Sequence, residues 1–232
     1  MEITPDATLA TIVTGVRGAP RILEGFGLDY CCHGNRSLAD ACAEASLNLG
    51  EVIDQLSAEF SRDPAAADLP EDTVELVDHI LSTHHRYLDA ELPRLEALAI
   101  KVEGVHGDRH PELHRVRELC TALRDDLTPH MLKEENVLFP LIRSLVTGEP
   151  STGPTMPVDR PVAMMMMEHE ATGEILEELR NVTSGYEAPG DACGSYQALY
   201  AGLADVERDT HMHIHKENNV LFPKALSLVA VG

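Results

Sequence analysis

Tryptophan is absent from this 232-residue sequence, and aromatic residues together make up only 4% of it. Hydrophobic residues, at 44%, can fill a buried interior, but that interior has to be aliphatic, with eight Met available for irregular gaps. Basic residues are scarce as well: 18 Lys and Arg stand against 39 Asp and Glu, for a formal charge of -21. A surface of that sign repels phosphate backbones and anionic lipid, so neither nucleic acid nor a membrane surface is expected as a partner. No run approaches the roughly 18 uninterrupted apolar residues that span a bilayer. The first residues, Met1 to Asp6, lack the basic end and apolar stretch of a signal peptide. The five cysteines (Cys31, Cys32, Cys42, Cys120 and Cys193) are odd in number and unevenly placed, unlike a secreted disulfide framework. A reducing cytoplasm is the expected setting.

Strand patterning is also missing. What is present is helical periodicity, in four long stretches near residues 71–103, 110–147, 158–184 and 192–229. Breaks rich in Gly and Pro divide them, at 104–107, 148–157 and 185–190. Ahead of them, residues 1–60 read as short helices with turns near Gly18-Ala19-Pro20 and Gly34-Asn35, and 61–70 has the Ala/Pro-rich character of a linker. The expected fold is all-α: a small helical domain over 1–60, a linker over 61–70, and an antiparallel four-helix bundle over 71–232.

The bundle region repeats itself. Residues 130–140 read His-Met-Leu-Lys-Glu-Glu-Asn-Val-Leu-Phe-Pro and residues 213–223 read His-Ile-His-Lys-Glu-Asn-Asn-Val-Leu-Phe-Pro, identical at eight of eleven positions. His85 precedes His130 by 45 residues and His169 precedes His213 by 44. Each half thus offers one His on its first helix and a His-x-x-x-Glu on its second, as a duplicated hairpin would.

A helix advances about 100° per residue, so an inward stripe recurs every three or four positions. One stripe runs Val74, Val77, Leu81, His85, Leu88, Leu92, Leu95, with His84 rotated away. The second runs Leu113, Val116, Leu123, Leu127, His130, Glu134, Val137, Leu141. The third holds Val162, Met166, His169, Leu176, Leu179, and the fourth Tyr196, Leu199, Leu203, Val206, His213, Glu217, Val220. His211 and His215 stand on the far side from His213.

Four histidines and two glutamates therefore project into an apolar interior. Buried carboxylates demand a compensating positive charge, and no Arg or Lys falls on these stripes. A metal supplies it. His at one position and Glu four later reach the same cluster from one helix face. Six ligands exceed the four of a tetrahedral zinc site, but suit two octahedral metals with two terminal histidines each and two bridging carboxylates. Imidazole and carboxylate without thiolate favour iron or manganese. The run Met164 to Met167 reads as core filler. His79, His84, His106, His211 and His215 read as surface groups or as supports for the ligands. Glu168 and Glu170, flanking His169, fit either an orienting role or a solvated helix face.

With its duplicated hairpins and His-x-x-x-Glu pattern, the bundle resembles hemerythrin-like domains. Asp29-Tyr30-Cys31-Cys32-His33-Gly34 looks like the Asp-aromatic-Cys-Cys-Gly-Gly motif of the Repair of Iron Centres family, with His33 where the commonest form has Gly. The resemblance covers nearly the whole chain. It implies a non-haem di-iron centre, oxo- or hydroxo-bridged, on His85, His130, Glu134, His169, His213 and Glu217, the two glutamates bridging. It further implies a role in restoring iron–sulfur clusters damaged by nitrosative or oxidative stress, with iron donation as the act and damaged iron–sulfur proteins as partners.

Cys31 and Cys32 are too close to close an unstrained disulfide with each other. They read either as buried structural thiols or as a thiol relay that receives iron or reacts with nitric oxide or a redox partner. Two further activities compete with repair. Reduction of nitric oxide at the two irons would make the protein an enzyme, and reversible oxygen binding would make it a carrier. The carrier is disfavoured, because classical carriers use five histidines and the stripes supply four. A homodimer is compatible with the sequence but not derivable from it.

Overall fold

The computed structural model describes residues 2–63 and 69–230. Among them helices are the regular secondary structure. No strand forms beyond a single antiparallel bridge between Thr8 and Ser37. The expected linker over 61–70 lies partly outside the described residues, since 64–68 are not among them; Ser61 and Arg62 end a helix.

Two compact units emerge. One comprises the residues up to Leu76 together with His211–Lys224, the other Val77–Thr210 with the residues from Ala225 onward. The first unit contains four short helices: α1 (Leu9–Gly15), α2 (Ala19–Gly25), α3 (Leu38–Glu44) and α4 (Leu49–Arg62). Side chains start three of them. Thr8 accepts from Thr11 N–H, Ser37 from Asp40 N–H, and Asn48 from the N–H groups of Gly50 and Glu51, the groups a helix start leaves without intrahelical partners. Leu9, Ile12, Leu23, Leu38, Val52 and Leu56 are buried in one core, and Ile214 packs in that same core. This explains why a C-terminal segment groups with the N-terminal residues. Polar contacts bind it too: Asn219 Nδ2 donates to the Cys31 carbonyl at 2.9 Å and to that of Tyr30 at 3.3 Å, and Asn218 Nδ2 reaches Cys31 O at 3.4 Å.

The longer helices follow as α5 (Thr73–Ile80), α6 (Arg86–His106), α7 (Glu112–Lys133), α8 (Phe139–Thr147), α9 (Asp159–Val182), α10 (Gly194–Lys216) and α11 (Phe222–Ala230). In the second unit α6 packs on α7 and α7 on α9, while α10 is tied to α9 by a bidentate Arg180–Glu207 pair at 3.1 and 2.6 Å. Leu88, Leu92, Leu123, Leu127, Leu176, Leu179, Leu199 and Leu203 fill the interior. It is the aliphatic core that the composition requires.

Three turns are wider than α-helical: Leu81–His85, Glu134–Leu138 and Glu217–Leu221 are π-helical. In each, the N–H of the following residue reaches back five positions, as Phe139 does to Glu134 O and Phe222 to Glu217 O. The extra residue shifts the stripe. Leu138 and Leu221 are buried, at 1% and 0% exposed, where a regular period expects Val137 and Val220, which are half-buried. At the first π-turn His84 and His85 are both inside, at 3% and 1% exposed, so the expectation that His84 is rotated away fails. In α9, which is regular, Met165 rather than Met166 faces inward. Met164, Met166 and Met167 are 51%, 42% and 67% exposed, so the methionine run is not core filler. Four consecutive α-helical residues point in four directions, and Val162, Met165, His169 and Thr172 keep the three- and four-residue spacing of the buried face.

Gly34 sits where the loop and the last π-turn meet. A Cβ there would lie 2.5 Å from the Tyr30 carbonyl oxygen and 2.6 Å from Asn219 Oδ1. Gly34→Ala is therefore expected to cost about 1–3 kcal/mol in denaturant unfolding, with faster hydrogen exchange near residues 30–34 and 216–219. An unchanged midpoint would show that the loop yields freely.

Candidate metal centre

The second unit brings His85, His130, Glu134 and His169 together, all 1% exposed or less. Glu134 begins a π-turn, and its two oxygens face different imidazoles: Oε2 lies 3.4 Å from His85 Nε2 and Oε1 lies 3.4 Å from His130 Nε2. His169 Nε2 is 3.1 Å from His130 Nε2. One ligand atom from each of His130, Glu134 and His169 lies within 4.8 Å of the other two.

The outer ring nitrogens are held by carboxylates. His85 Nδ1 is 2.9 Å from Glu135 Oε1, and His130 Nδ1 is 2.9 Å from Glu168 Oε2. Donation from Nδ1–H to a carboxylate fixes the ring and leaves the Nε2 lone pair pointing inward, as metal-ligating histidines require. Glu168 also pairs with Lys133. Burial raises its carboxyl, yet Lys133 and His130 together hold it below the usual carboxylate range. Of the two readings open for Glu168, the orienting one is realised; Glu170 is on an exposed face.

In the first unit His213 and Glu217 are fully buried, with Nε2 and Oε1 3.1 Å apart. Lys216 is buried beside them in sequence at 6% exposed, off the stripe. His215, expected outside, is fully buried. N-terminal residues cover that face of the helix, with Thr14 Oγ1 3.4 Å from His215 Nε2 and the Tyr30 ring edge-on at 5.8 Å. Burial pushes its imidazole down to about 4, so the ring is neutral there. His211 and His79 are half-buried. His84 lies 2.9 Å from Asp209, and buried His106 lies 3.1 Å from Cys193 Sγ.

None of the five cysteines is in a disulfide. Cys31 is buried and Cys32 half-buried, their sulfurs 3.9 Å apart. The Cys32 thiol, burial and the Asp29 carboxylate together push the Cys31 thiol well up. For Asp29, burial pushes upward, but hydrogen bonds from His33, Cys31 and Cys32 hold it below its ordinary value.

The donor set of the second unit fits iron: buried imidazole and carboxylate, no sulfur, and carboxylate-oriented rings. Glu168→Ala should weaken metal binding by about 10–100-fold by freeing the His130 ring, measured by competitive metal titration. Glu170→Ala, on the exposed face of the same helix, should leave it unchanged. Equal effects of the two would show that Glu168 acts only through surface charge.

Residues 76–225 match the family described as the hemerythrin HHE cation binding domain, and residues 5–59 match a domain of unknown function, DUF542. The iron-sulfur cluster repair protein YtfE of Escherichia coli O17:K52:H18 (strain UMN026 / ExPEC) is 34% identical over 223 residues, covering 96% of this chain and 97% of that protein. YtfE of Salmonella schwarzengrund (strain CVM19633) is 32% identical over 225 residues, with the same coverage. YtfE of Shigella boydii serotype 4 (strain Sb227) is 34% identical over 223 residues. With its buried histidine–glutamate cluster, its all-helical fold and this similarity along nearly its whole length, the chain belongs to the hemerythrin HHE family and, within it, to the family of these repair proteins.

Proposed function

We propose that this protein restores iron–sulfur clusters damaged by nitrosative or oxidative stress, acting in the cytoplasm as a donor of iron. The observation that carries the reading is Glu134: one buried carboxylate whose two oxygens face His85 and His130 separately, each imidazole held from behind by a further carboxylate. A carboxylate so placed serves two metal positions. The ligand set is His85, His130, Glu134, His169, His213 and Glu217, holding two non-haem iron ions with Glu134, Glu217 and an oxo or hydroxo group as bridges. The names of the relatives support the repair role.

Bound iron supplies exchangeable metal for a damaged cluster. The chain supplies the rest. Glu135 and Glu168 keep the Nδ1 protons of His85 and His130 in place, so each Nε2 can trade a metal for a proton. The surrounding Leu side chains exclude water, which makes every charge in the site count for more. No helix among the described residues is long and apolar enough to cross a membrane. Cys31 and Cys32 act as the thiol relay towards the client protein.

Iron content and Mössbauer spectra of the wild type beside a Glu134→Ala, Glu217→Ala double variant test the site. Two irons per chain with antiferromagnetic coupling, lost in the variant, are expected. Zinc, or binding unchanged in the variant, would overturn the ligand set. Incubation with an enzyme carrying a damaged cluster tests the act: the iron-loaded protein should restore activity, and the metal-free protein should not. Equal repair by both, or catalytic formation of nitrous oxide without repair, would replace iron donation as the function.

A further inference from the structure

The first unit holds a donor set of a different kind. Asp29 Oδ1 accepts the backbone N–H groups of Cys31 and Cys32, each at 3.0 Å, and the Cys31 thiol at 3.1 Å. Its second oxygen lies 2.5 Å from His33 Nδ1. Two backbone donors and one imidazole thus orient the carboxylate, which faces the two sulfurs. One ligand atom from each of Asp29, Cys31 and Cys32 lies within 4.8 Å of the other two. The loop that presents them is held at its carbonyls by Asn218 and Asn219.

The spacing suits a tetrahedral cation. With metal–sulfur bonds of about 2.3 Å, two thiolates on one ion stand about 3.8 Å apart, and Cys31 and Cys32 are at 3.9 Å. The 3.1 Å contact between Cys31 and Asp29 is an S–H donating to a carboxylate; a metal would take that proton's place, and the contact would open by a few tenths of an ångström. A disulfide between the pair would be strained and readily reduced, because adjacent residues bring their Cα atoms closer than an unstrained bridge allows. Two sulfurs and one oxygen make three protein donors among the described residues, the number found in zinc sites that act on what they bind rather than in closed structural ones. Cys32 and Asp29 are half-buried and His33 is exposed, so the set can be reached from solvent.

We infer that Asp29, Cys31 and Cys32 form a mononuclear site for a thiophilic divalent cation, ferrous iron, with His33 as the positioning residue for the Asp29 carboxylate. The choice of iron rests on the proposed repair function; the site itself does not. Binding is ligand exchange without redox change: one divalent ion enters, two thiols become thiolates, and two protons leave to solvent. A fourth position on the ion lets a client's thiolate join before the protein's own ligands let go. A relay needs such a position.

Anaerobic titration of the full-length, metal-free chain with cobalt(II) tests this. The wild type should develop a thiolate-to-cobalt charge-transfer band, which a large excess of ferrous iron then displaces. The band should be absent from a Cys31→Ser, Cys32→Ser variant and weakened by about 10-fold or more in Asp29→Asn, where the amide oxygen still caps the turn but the charge is gone. It should persist in the Glu134→Ala, Glu217→Ala protein. Persistence there alongside failed cluster repair would overturn the functional reading and leave this site standing. On the unaltered wild type, bound metal should protect Cys32 from alkylation, read by mass spectrometry, so the outcome does not depend on a variant that folds. No band, no protection, or a band that follows Cys193→Ser instead would overturn the site. Cobalt binds such ligands more tightly than ferrous iron, so only cobalt retained against a large excess of ferrous iron would overturn the assignment to iron.

Discussion

The structure turns on holding the carboxyl group of Glu134 where water does not reach. Taking a carboxylate out of water costs several kcal/mol even after the protein relaxes. Glu134 is fully buried, with His85 and His130 at 3.4 Å on either side. Two neutral imidazoles do not offset that cost. Protons can: an imidazolium at His85 would lie between Glu134 on one nitrogen and Glu135 on the other. A metal at Nε2 does the same work with more charge. Proton and metal therefore compete for one lone pair, so metal binding releases protons and metal release takes them up. For the proposed donor of iron, which has both to hold the metal and to give it away, this competition is useful.

Much of the second unit follows from that demand. Glu168, which orients the His130 ring, is itself anchored by Lys133. A ring that swung freely would spend binding free energy on its own ordering. The π-turns serve the same end. A regular helix can offer the interior only every third or fourth residue, but a wide turn brings one more inside. Hence His84 and His85 are buried together, and Glu134 is followed inward by Leu138. All three π-turns begin or end at a residue of the proposed ligand set, namely His85, Glu134 and Glu217.

Those wide turns also mark where the sequence was hard to read. The helices were legible because apolar residues recur at helical spacing over stretches much longer than any turn, and the clustering of His85, His130, Glu134 and His169 was legible because they sit on those stripes. The repeat of residues 130–140 at 213–223 made His213 and Glu217 candidates on the same footing. What failed failed for local reasons. The register past Glu134 and Glu217 assumed an α-turn, so Val137 and Val220 took the places of Leu138 and Leu221. His84 failed for the same cause. His215 failed for another: its stripe lies on the opposite side of the helix from His213, and no periodicity within one helix reports that residues about two hundred positions earlier, such as Thr14 and Tyr30, cover it. Met166 was a phase error of one residue, decided by which Met lines up with Val162 and His169.

The last π-turn has a second burden that the first two lack. Glu217 begins it, and the next two residues, Asn218 and Asn219, hold the carbonyls of Tyr30 and Cys31. Gly34 is bare of a Cβ at the same spot, where one would collide with Asn219 and the Tyr30 carbonyl. A buried carboxylate and a thiol-bearing loop are thus fastened to consecutive residues of one turn of helix. A helical turn has little freedom to move one such residue without its neighbour, because each backbone N–H and C=O is committed to a partner. The position of the Cys31 backbone is therefore set by the same few dihedral angles that aim Glu217. The Cys31 side chain is buried against Asp29, and the half-buried Asp29 and Cys32 form the part of this assembly nearest solvent.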